Sequence, residues 1–231
     1  MLALTNSSEH YVAPRMVERA PVRAVDPSPF RSEAGTYIVP AKQDIFVEGD
    51  RAAFVYEIVE GTVAAYRILP DGERHVVSFY FAGDVLGYCC GRAYAMSAHS
   101  ITPVRLRRIP TAAVERMLDQ EPDLARRLLR LAAAELTATR DHLVCIAAKS
   151  AEAKMASFLL ALSRRNASTG DDPAELILQM TRIDIGDYLG LTVETVSRTL
   201  TKMKQAGVIA LPRACRVLIR DLTALEAMAN S

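Results

Sequence analysis

Asp184-Ile185-Gly186-Asp187-Tyr188-Leu189-Gly190-Leu191-Thr192-Val193-Glu194-Thr195-Val196-Ser197-Arg198 contains two helix starts and one enforced break. Thr181, three residues before Asp184, is a plausible N-cap for a helix over 182–189, its side-chain oxygen accepting an orphan amide of the first turn. Gly190 ends that helix. Thr192 caps the next one, over 193–206, which Gly207 terminates. Residues 208–211 and 216–220 then read as two strands around Pro212-Arg213-Ala214, and Asp221 can cap a final short helix. Two short helices joined through a glycine turn and followed by a hairpin predict a winged helix-turn-helix.

In such a motif the second helix lies in the major groove of double-stranded DNA, its first residues against base edges. Glu194 and Arg198 stand at i and i+4, and Ser197 at i+3, so the three share one face. Arginine can hold O6 and N7 of guanine, and glutamate can accept from N4 of cytosine. Ser197 is short enough to permit close approach. Val196 and Leu200 are expected to face the domain core with Ile185 and Leu189. Arg182, Thr192, Thr195, Thr201, Lys202, Lys204, Arg213 and Arg216 are placed to reach phosphates, which position without specifying sequence. On an arbitrary helix Glu194 and Arg198 would be an exposed pair worth a few tenths of a kcal/mol. Their place at the head of the second helix favours base reading.

Working toward the N-terminus, residues 149–231 form the domain that carries this motif, with a helix over 151–164, a polar loop over 166–172 and a short strand over 176–179. Residues 123–148 run about 26 residues without Gly or Pro, about 39 Å of helix. Leu129, Ala132, Leu136, Thr139, Leu143 and Ile146 are spaced 3, 4, 3, 4, 3, one heptad seam. Leu124, Leu128 and Leu131 lie on a neighbouring face. A helix with two apolar faces can pack on its own domain with one and on a twin with the other; an ordinary buried core helix is the alternative. Before it, 37–39, 44–47, 54–59, 62–69, 75–81 and 104–108 are short apolar runs separated by Glu48-Gly49-Asp50, Glu60-Gly61, Pro70-Asp71-Gly72 and Ala82-Gly83-Asp84. That pattern predicts a compact antiparallel roll over 33–122, closed by a short helix over 111–118. Residues 1–32, with Pro14, Pro21, Pro27 and Pro29 and no periodicity, read as a flexible arm.

Composition narrows the classes. The 231 residues carry 28 Lys and Arg against 27 Asp and Glu, and half are hydrophobic. The longest stretch without a charged residue, 93–104, is far short of the about 18 residues a membrane span needs. Residues 1–8 lack the basic start and apolar run of a secretory signal. Cys89, Cys90, Cys145 and Cys215 form no dense pattern and read as reduced thiols of a cytoplasmic protein. His10, His75, His99 and His142 show no metal-ligand spacing, and there is no Walker loop, glycine-rich nucleotide fingerprint or nucleophile elbow, so neither a metal nor an enzymatic activity is expected. The net charge of +1 suits a nucleic-acid binder poorly, yet it averages unlike parts. Residues 1–150 balance at 18 basic and 18 acidic, whereas 182–220 hold seven basic and three acidic, a net of +4.

The chain resembles the CRP/FNR superfamily of bacterial transcription regulators over roughly residues 35–220. Phe54-Val55-Tyr56-Glu57-Ile58-Val59-Glu60-Gly61-Thr62-Val63 and Phe81-Ala82-Gly83-Asp84-Val85-Leu86-Gly87 are similar to the family's cyclic-nucleotide-type β-roll. The run 184–198 is similar to the helix-turn-helix of the FNR/FixK branch, whose Glu-x-x-Ser-Arg signature falls on Glu194, Ser197 and Arg198. The resemblance implies an α+β chain: a β-roll (jelly roll), a long dimerisation helix and a C-terminal winged helix-turn-helix. It implies a homodimer on an inverted repeat TTGAT-N4-ATCAA, with Ser197 favouring TTGAT over TGTGA. It also implies contact with RNA polymerase through exposed turns such as Pro70-Asp71-Gly72-Glu73.

The departures from the family concern the signal. Residues 1–33 hold no cysteine, and thiolates are what an iron–sulfur cluster requires. Cyclic-AMP binders carry Gly-Glu and Arg-Ser pairs where this chain has Gly87-Tyr88 and Met96-Ser97. Nothing there neutralises a cyclic phosphate. The pattern resembles the FixK group, which implies a regulator, mainly an activator, of microaerobic, anaerobic or nitrogen-fixation genes with no cofactor. Alternatives are a sensor of an unrecognised small molecule near Tyr88, Met96 and Ser97, a roll with no DNA role, and a thiol switch. For that switch Cys89-Cys90 and Cys215, the last between basic wing residues, are the possible redox sites; packed structural thiols are the competing reading.

Overall fold

The structure is a computed structural model and describes residues 35–88 and 91–231. The expected arm over 1–32 and the thiols Cys89 and Cys90 lie outside the described residues. Eight strands come first: β1 (Gly35–Val39), β2 (Asp44–Phe46), β3 (Phe54–Glu60), β4 (Thr62–Ile68), β5 (Arg74–Phe81), β6 (Val85–Leu86), β7 (Ser97–Ser100) and β8 (Val104–Pro110). They form two antiparallel four-stranded sheets, β1-β8-β3-β6 and β2-β7-β4-β5. The sheets close over Val39, Phe46, Tyr56, Ile58, Val63, Tyr80, Leu86, Tyr94 and Leu106. This is the expected roll, with two strands that the apolar pattern does not reveal. β6 has two residues. β7 reads Ser-Ala-His-Ser, and its buried hydroxyls are satisfied locally: Ser97 Oγ accepts from Glu48 N at 2.9 Å and Ser100 Oγ donates to Pro40 O at 2.5 Å.

β4 departs from alternation, since Thr62 through Tyr66 are all buried. Alternation holds only where one face of a sheet meets water. Here Val63 and Ala65 fill the roll, while Ala64, with Val76 and Phe79 of β5, packs into the core of the C-terminal domain.

Two helices follow, α1 (Thr111–Gln120) and α2 (Pro122–Ala148). Pro122 opens α2 at a position where its missing N–H costs no helix hydrogen bond. Lys149 and Ser150, both extended, lead to α3 (Ala151–Thr169), which Ser150 caps by accepting from Ala153 N. The helix runs five residues beyond the expected end at Arg164. Gly170, left-handed at φ 87°, is the first residue able to stop it, so most of the expected polar loop is helical.

The remainder is β9 (Glu175–Ile177), α4 (Arg182–Leu189), α5 (Val193–Gln205), β10 (Ile209–Arg213), β11 (Arg216–Ile219) and α6 (Leu222–Ala229). The three strands make one sheet, β10-β11-β9. Ile185, Leu189, Val196, Leu200, Met203, Val217 and Leu225 share its core with Met155 and Leu159 of α3. No helix among the described residues is long and apolar enough to cross a membrane.

Candidate nucleic-acid interface

The two helices of the motif are placed by short-range hydrogen bonds. Thr181 Oγ1 accepts from Asp184 N at 3.2 Å while Asp184 Oδ2 accepts from Thr181 N at 2.9 Å, a reciprocal capping box. Gly190 ends α4 at φ 62°. Thr192 Oγ1 accepts from Thr195 N at 3.1 Å and starts α5. The turn between them is tight: Leu191 N donates to Gly186 O at 2.9 Å. A Cβ on Gly186 would stand 2.5 Å from Leu191 O.

The first turns of α5 divide cleanly. Val196, Thr199, Leu200 and Met203 are buried. Glu194, Ser197 and Arg198 are exposed on the opposite face, the side chains of Glu194 and Arg198 at 86% and 59%. Their nearest approach is 3.9 Å, and Arg198 Nη2 lies 3.4 Å from Thr195 Oγ1. The guanidinium is lightly held and free to meet a base.

The residues expected at the phosphate backbone are not equivalent. Thr192, Thr201, Lys204 and Arg213 are exposed, and Thr201 donates to Ser197 O at 2.9 Å. Lys202 instead pairs with Glu152 of α3 at 2.8 Å, and Arg216 with Glu175 of β9 at 2.6 Å. Arg182 is half-buried and donates to Ala214 O at 2.8 Å, stapling α4 to the wing turn. Burial lowers its pKa from the ordinary arginine value. These three cations have protein partners in the structure. A sequence shows the positive charge but not the acid or carbonyl, 32 to 50 residues away, that holds it.

On α2 the heptad seam is open. Leu129, Leu136 and Leu143 are 71%, 51% and 67% exposed, and Ala132 and Thr139 are exposed between them. Ile146 is half-buried beside the turn at Gly190. The neighbouring face packs inward, with Leu124 buried and Leu128 against Val55, Ile109 and Val114. The alternative of a fully buried core helix is thereby overturned for this seam.

Inside the roll, aromatic side chains pack together in the core. Phe46 stacks on Tyr94 at 4.0 Å and on Tyr56 at 5.6 Å. The Tyr94 hydroxyl donates to Phe54 O at 2.8 Å. Gly87, at φ 83°, sits where a Cβ would meet Tyr56, Phe54 and Tyr94 at 3.2–3.3 Å. Met96 packs on that core, Ser97 is buried and Tyr88 is exposed. Cys145 is buried in α2, whereas Cys215 is exposed in the wing turn rather than packed in a strand core. Among the described residues no group of three or more His, Cys, Asp or Glu could hold a metal ion.

Residues 153–228 match the Crp-like helix-turn-helix domain, and 38–121 match the cyclic nucleotide-binding domain. The nitrogen fixation regulation protein FixK of Azorhizobium caulinodans is 39% identical over 194 residues, 83% of this chain and 78% of its own. The chain belongs to the CRP/FNR family of transcription regulators. The fumarate and nitrate reduction regulatory protein of Escherichia coli K12 is 35% identical over 73% of this chain and 68% of its own. The solved structure of FixK2 from Bradyrhizobium japonicum superposes with a TM-score of 0.80 at 32% identity, covering 84% of this chain and 96% of that one. Like these relatives, this CRP/FNR protein is a DNA-binding regulator of the FixK/FNR type.

Sequence reasoning missed the residues that join α4 to the roll. Arg74, at the start of β5, reaches Asp184 and Asp187. Tyr188 stacks on His142 of α2 at 4.0 Å and tilts against Phe79 of β5 at 5.1 Å. Thr62 of β4 donates to Gln179. Burial holds both His142 and His99 below the usual histidine pKa, helped by Lys154 near the first and Arg74 near the second. The trace these contacts leave in the sequence is the nearly unbroken apolar run Val63-Ala64-Ala65-Tyr66, which alternation on a single face does not explain.

Proposed function

We propose that the protein acts as a homodimeric, sequence-specific transcription regulator, mainly an activator, that binds a TTGAT-N4-ATCAA palindrome without a small-molecule effector. The observation that carries this reading is the exposed trio Glu194, Ser197 and Arg198 on the outer face of α5, backed by buried Val196 and Leu200. A twin packed on Leu129, Leu136 and Leu143 would bury a large apolar stripe and present a second α5 to the inverted repeat. Independence from cyclic nucleotides is supported by Tyr88 and Met96, which stand where cyclic-AMP binders carry their Glu and Arg. The absence of cysteine over 1–33 argues against an iron–sulfur cluster there. The names of the FixK relatives favour a place in nitrogen-fixation gene control; a role at low oxygen, in the cytoplasm, belongs to the same proposal. The exposed turn Pro70-Asp71-Gly72-Glu73 is the surface we assign to RNA polymerase.

Fluorescence anisotropy of the purified protein on that duplex tests the reading. Binding is expected at physiological salt with no additive, and cyclic AMP should change neither affinity nor melting temperature. Arg198→Ala should cost about 1–3 kcal/mol and relax the preference at the contacted G·C pair. Binding that appears only when a metabolite is added would overturn effector independence; unchanged base preference in Arg198→Ala would overturn the site. A second reading, thiol-dependent DNA binding, rests on the exposure of Cys215 in the wing. A Cys215→Ser protein as peroxide-sensitive as wild type would remove it.

A further inference from the structure

The DNA-binding domain leaves α2 through only two extended residues, Lys149 (φ −96°, ψ 151°) and Ser150 (φ −64°, ψ 164°). A two-residue link permits rotation, so the orientation of α5 depends on what else holds the domain. The hold comes from the roll and, through the stacking of Tyr188 on His142, from α2 itself. Arg74 Nη2 lies 2.5 Å from Asp184 Oδ1 and 3.0 Å from Asp187 Oδ2, one guanidinium nitrogen bridging two carboxylates one turn apart on α4. The guanidinium sits over the Tyr66 ring at 5.9 Å, and its Nη1 is 3.4 Å from His99 Nε2. Asp184 is buried. Burial alone would raise its pKa, but the hydrogen bonds from Thr181 and Arg74 outweigh that and keep it low, so the carboxylate stays charged.

The roll is in turn fixed to α2. Tyr80 of β5 donates to Glu135 at 2.7 Å, and α1 packs beneath Leu128. The seam on α2 defines the two-fold axis of the proposed dimer. The chain of contacts therefore runs from that axis through α2 and β5 to Arg74, then to α4, and through the Gly186–Leu191 turn to α5. Tightening or loosening Arg74 changes where each α5 stands relative to the axis. In a two-fold dimer that offset is the distance between the half-sites that can be read together.

We propose that Arg74 is a positioning residue for DNA recognition, which through Asp184 and Asp187 fixes α5 relative to the dimer axis and so sets the spacing between half-sites. The inference rests on the palindrome reading above. A lysine could not serve equally, since an ammonium lacks the second nitrogen that meets His99 and the planar group that lies over the Tyr66 ring. The Asp187 half of the contact is nearer solvent and contributes little to folding, whereas removing Arg74 also strips the buried Asp184 of its cation. The effect of the Asp187 half should therefore appear in geometry.

The experiment measures full-length protein on four duplexes that carry the same half-sites separated by three, four, five or six base pairs. Wild type is expected to prefer four. Arg74→Ala and Asp187→Ala should each reduce that preference about fivefold or more, in line with the weaker couplings measured between distant sites. The double variant should lose no more than Arg74→Ala, since that change already removes the contact to Asp187. Asp184 is left intact because it closes the capping box. Sedimentation should show unchanged dimers; melting should move little in Asp187→Ala and fall in Arg74→Ala, which leaves the buried Asp184 without its cation. Affinity that falls by the same factor on all four duplexes, or does not fall, overturns the proposal. If Arg74→Ala fails to fold, Asp187→Ala decides alone. Wild type that binds none of the duplexes refutes the palindrome reading itself, a result distinct from loss of the spacing effect.

Discussion

Replacing Gly186 by alanine is expected to damage DNA binding more than folding. The substitution would place a methyl group 2.5 Å from Leu191 O, 3.6 Å from its carbonyl carbon and 3.8 Å from the carbonyl carbon of Thr192. Real Cβ atoms essentially never approach nearer than 3.0 Å, so the turn must retreat by at least 0.5 Å. The obstacle is backbone and cannot swing aside as a side chain would. On helix propensity alone, glycine to alanine would stabilise α4 by about 1 kcal/mol. Overpacking of this kind costs about 1–3 kcal/mol. With a rigid neighbour the upper part of that range applies, leaving a net loss of about 1–2 kcal/mol and a fall in melting temperature of roughly 2–8 °C for a chain of this size. Leu191 and Thr192 are the two residues that launch α5, so the shift reaches Glu194 and Arg198 directly. Affinity for the palindrome should drop tenfold or more. Thermal unfolding by circular dichroism and anisotropy titration measure the two effects. Gly170→Ala is the control: its left-handed backbone strains an alanine, but the methyl meets nothing within 4 Å and lies far from α5, so it should cost about 1 kcal/mol and leave DNA affinity unchanged. Gly186→Ala melting at or above wild type with unaltered affinity would refute the reasoning.

Leu143→Glu, at a position 67% exposed in the protomer, should leave the fold intact yet set two carboxylates against an apolar seam. Sedimentation should then show monomers with weakened DNA binding, and a persistent dimer would rule the seam out. For pH, His142 and His99 are held below the usual histidine pKa mainly by burial. Unfolded histidines titrate near about 6.5. The unfolded state therefore takes up more protons just below that pH, so stability is complete above it and is lost as pH falls toward the folded-state values. Melting temperatures should drop between about pH 7 and 5.5, and His142→Gln should flatten that drop; an equal slope in both proteins would contradict the assignment. Salt dependence tests the backbone contacts. Each neutralised phosphate adds about −0.9 to the slope of log K against log salt. With Arg182, Lys202 and Arg216 held by protein partners, Lys204 and Arg213 remain, and a dimer should give a slope of about −4 rather than the about −9 that all five would produce. A slope near the larger figure would mean those pairs open on the duplex.

The ends of α4 and α5 were legible in the sequence because caps are local. Thr181, Gly190 and Thr192 act on residues within four positions of themselves, and the α4 boundaries coincide with those expected. The roll was legible from its glycine turns, but β7 was not. A strand of Ser-Ala-His-Ser carries no hydrophobic alternation, and its burial depends on hydroxyls meeting partners 49 to 60 residues away. Among the expected site residues, exposure could be inferred for Glu194, Ser197 and Arg198 from helix geometry alone. Glu152, Glu175 and Ala214, which engage Lys202, Arg216 and Arg182, lie on other elements. Arg74 and Asp184 are separated by 110 residues, and nothing local to either one predicts the other.

That long-range pairing changes how the charge of the DNA-binding domain is to be understood. Counted along the chain, residues 182–220 hold seven basic and three acidic groups. Two of the acids, Asp184 and Asp187, would weaken a phosphate-facing surface, but both turn to the roll and meet Arg74 there. Two of the bases, Lys202 and Arg216, are matched by Glu152 and Glu175. The outward set is then Arg198, Lys204, Arg213 and Arg220 with Glu194, a sparse field instead of a basic face. Phosphate attraction supplies essentially all non-specific DNA affinity, so a sparse field keeps that component small. Discrimination must come from the few groups that touch bases and from the geometry that delivers two recognition helices at one separation. In the proposed complex Arg198 would serve the first requirement. The second falls to the contacts that hold α4 on the roll, and a domain with a stronger field could tolerate their loss better than this one.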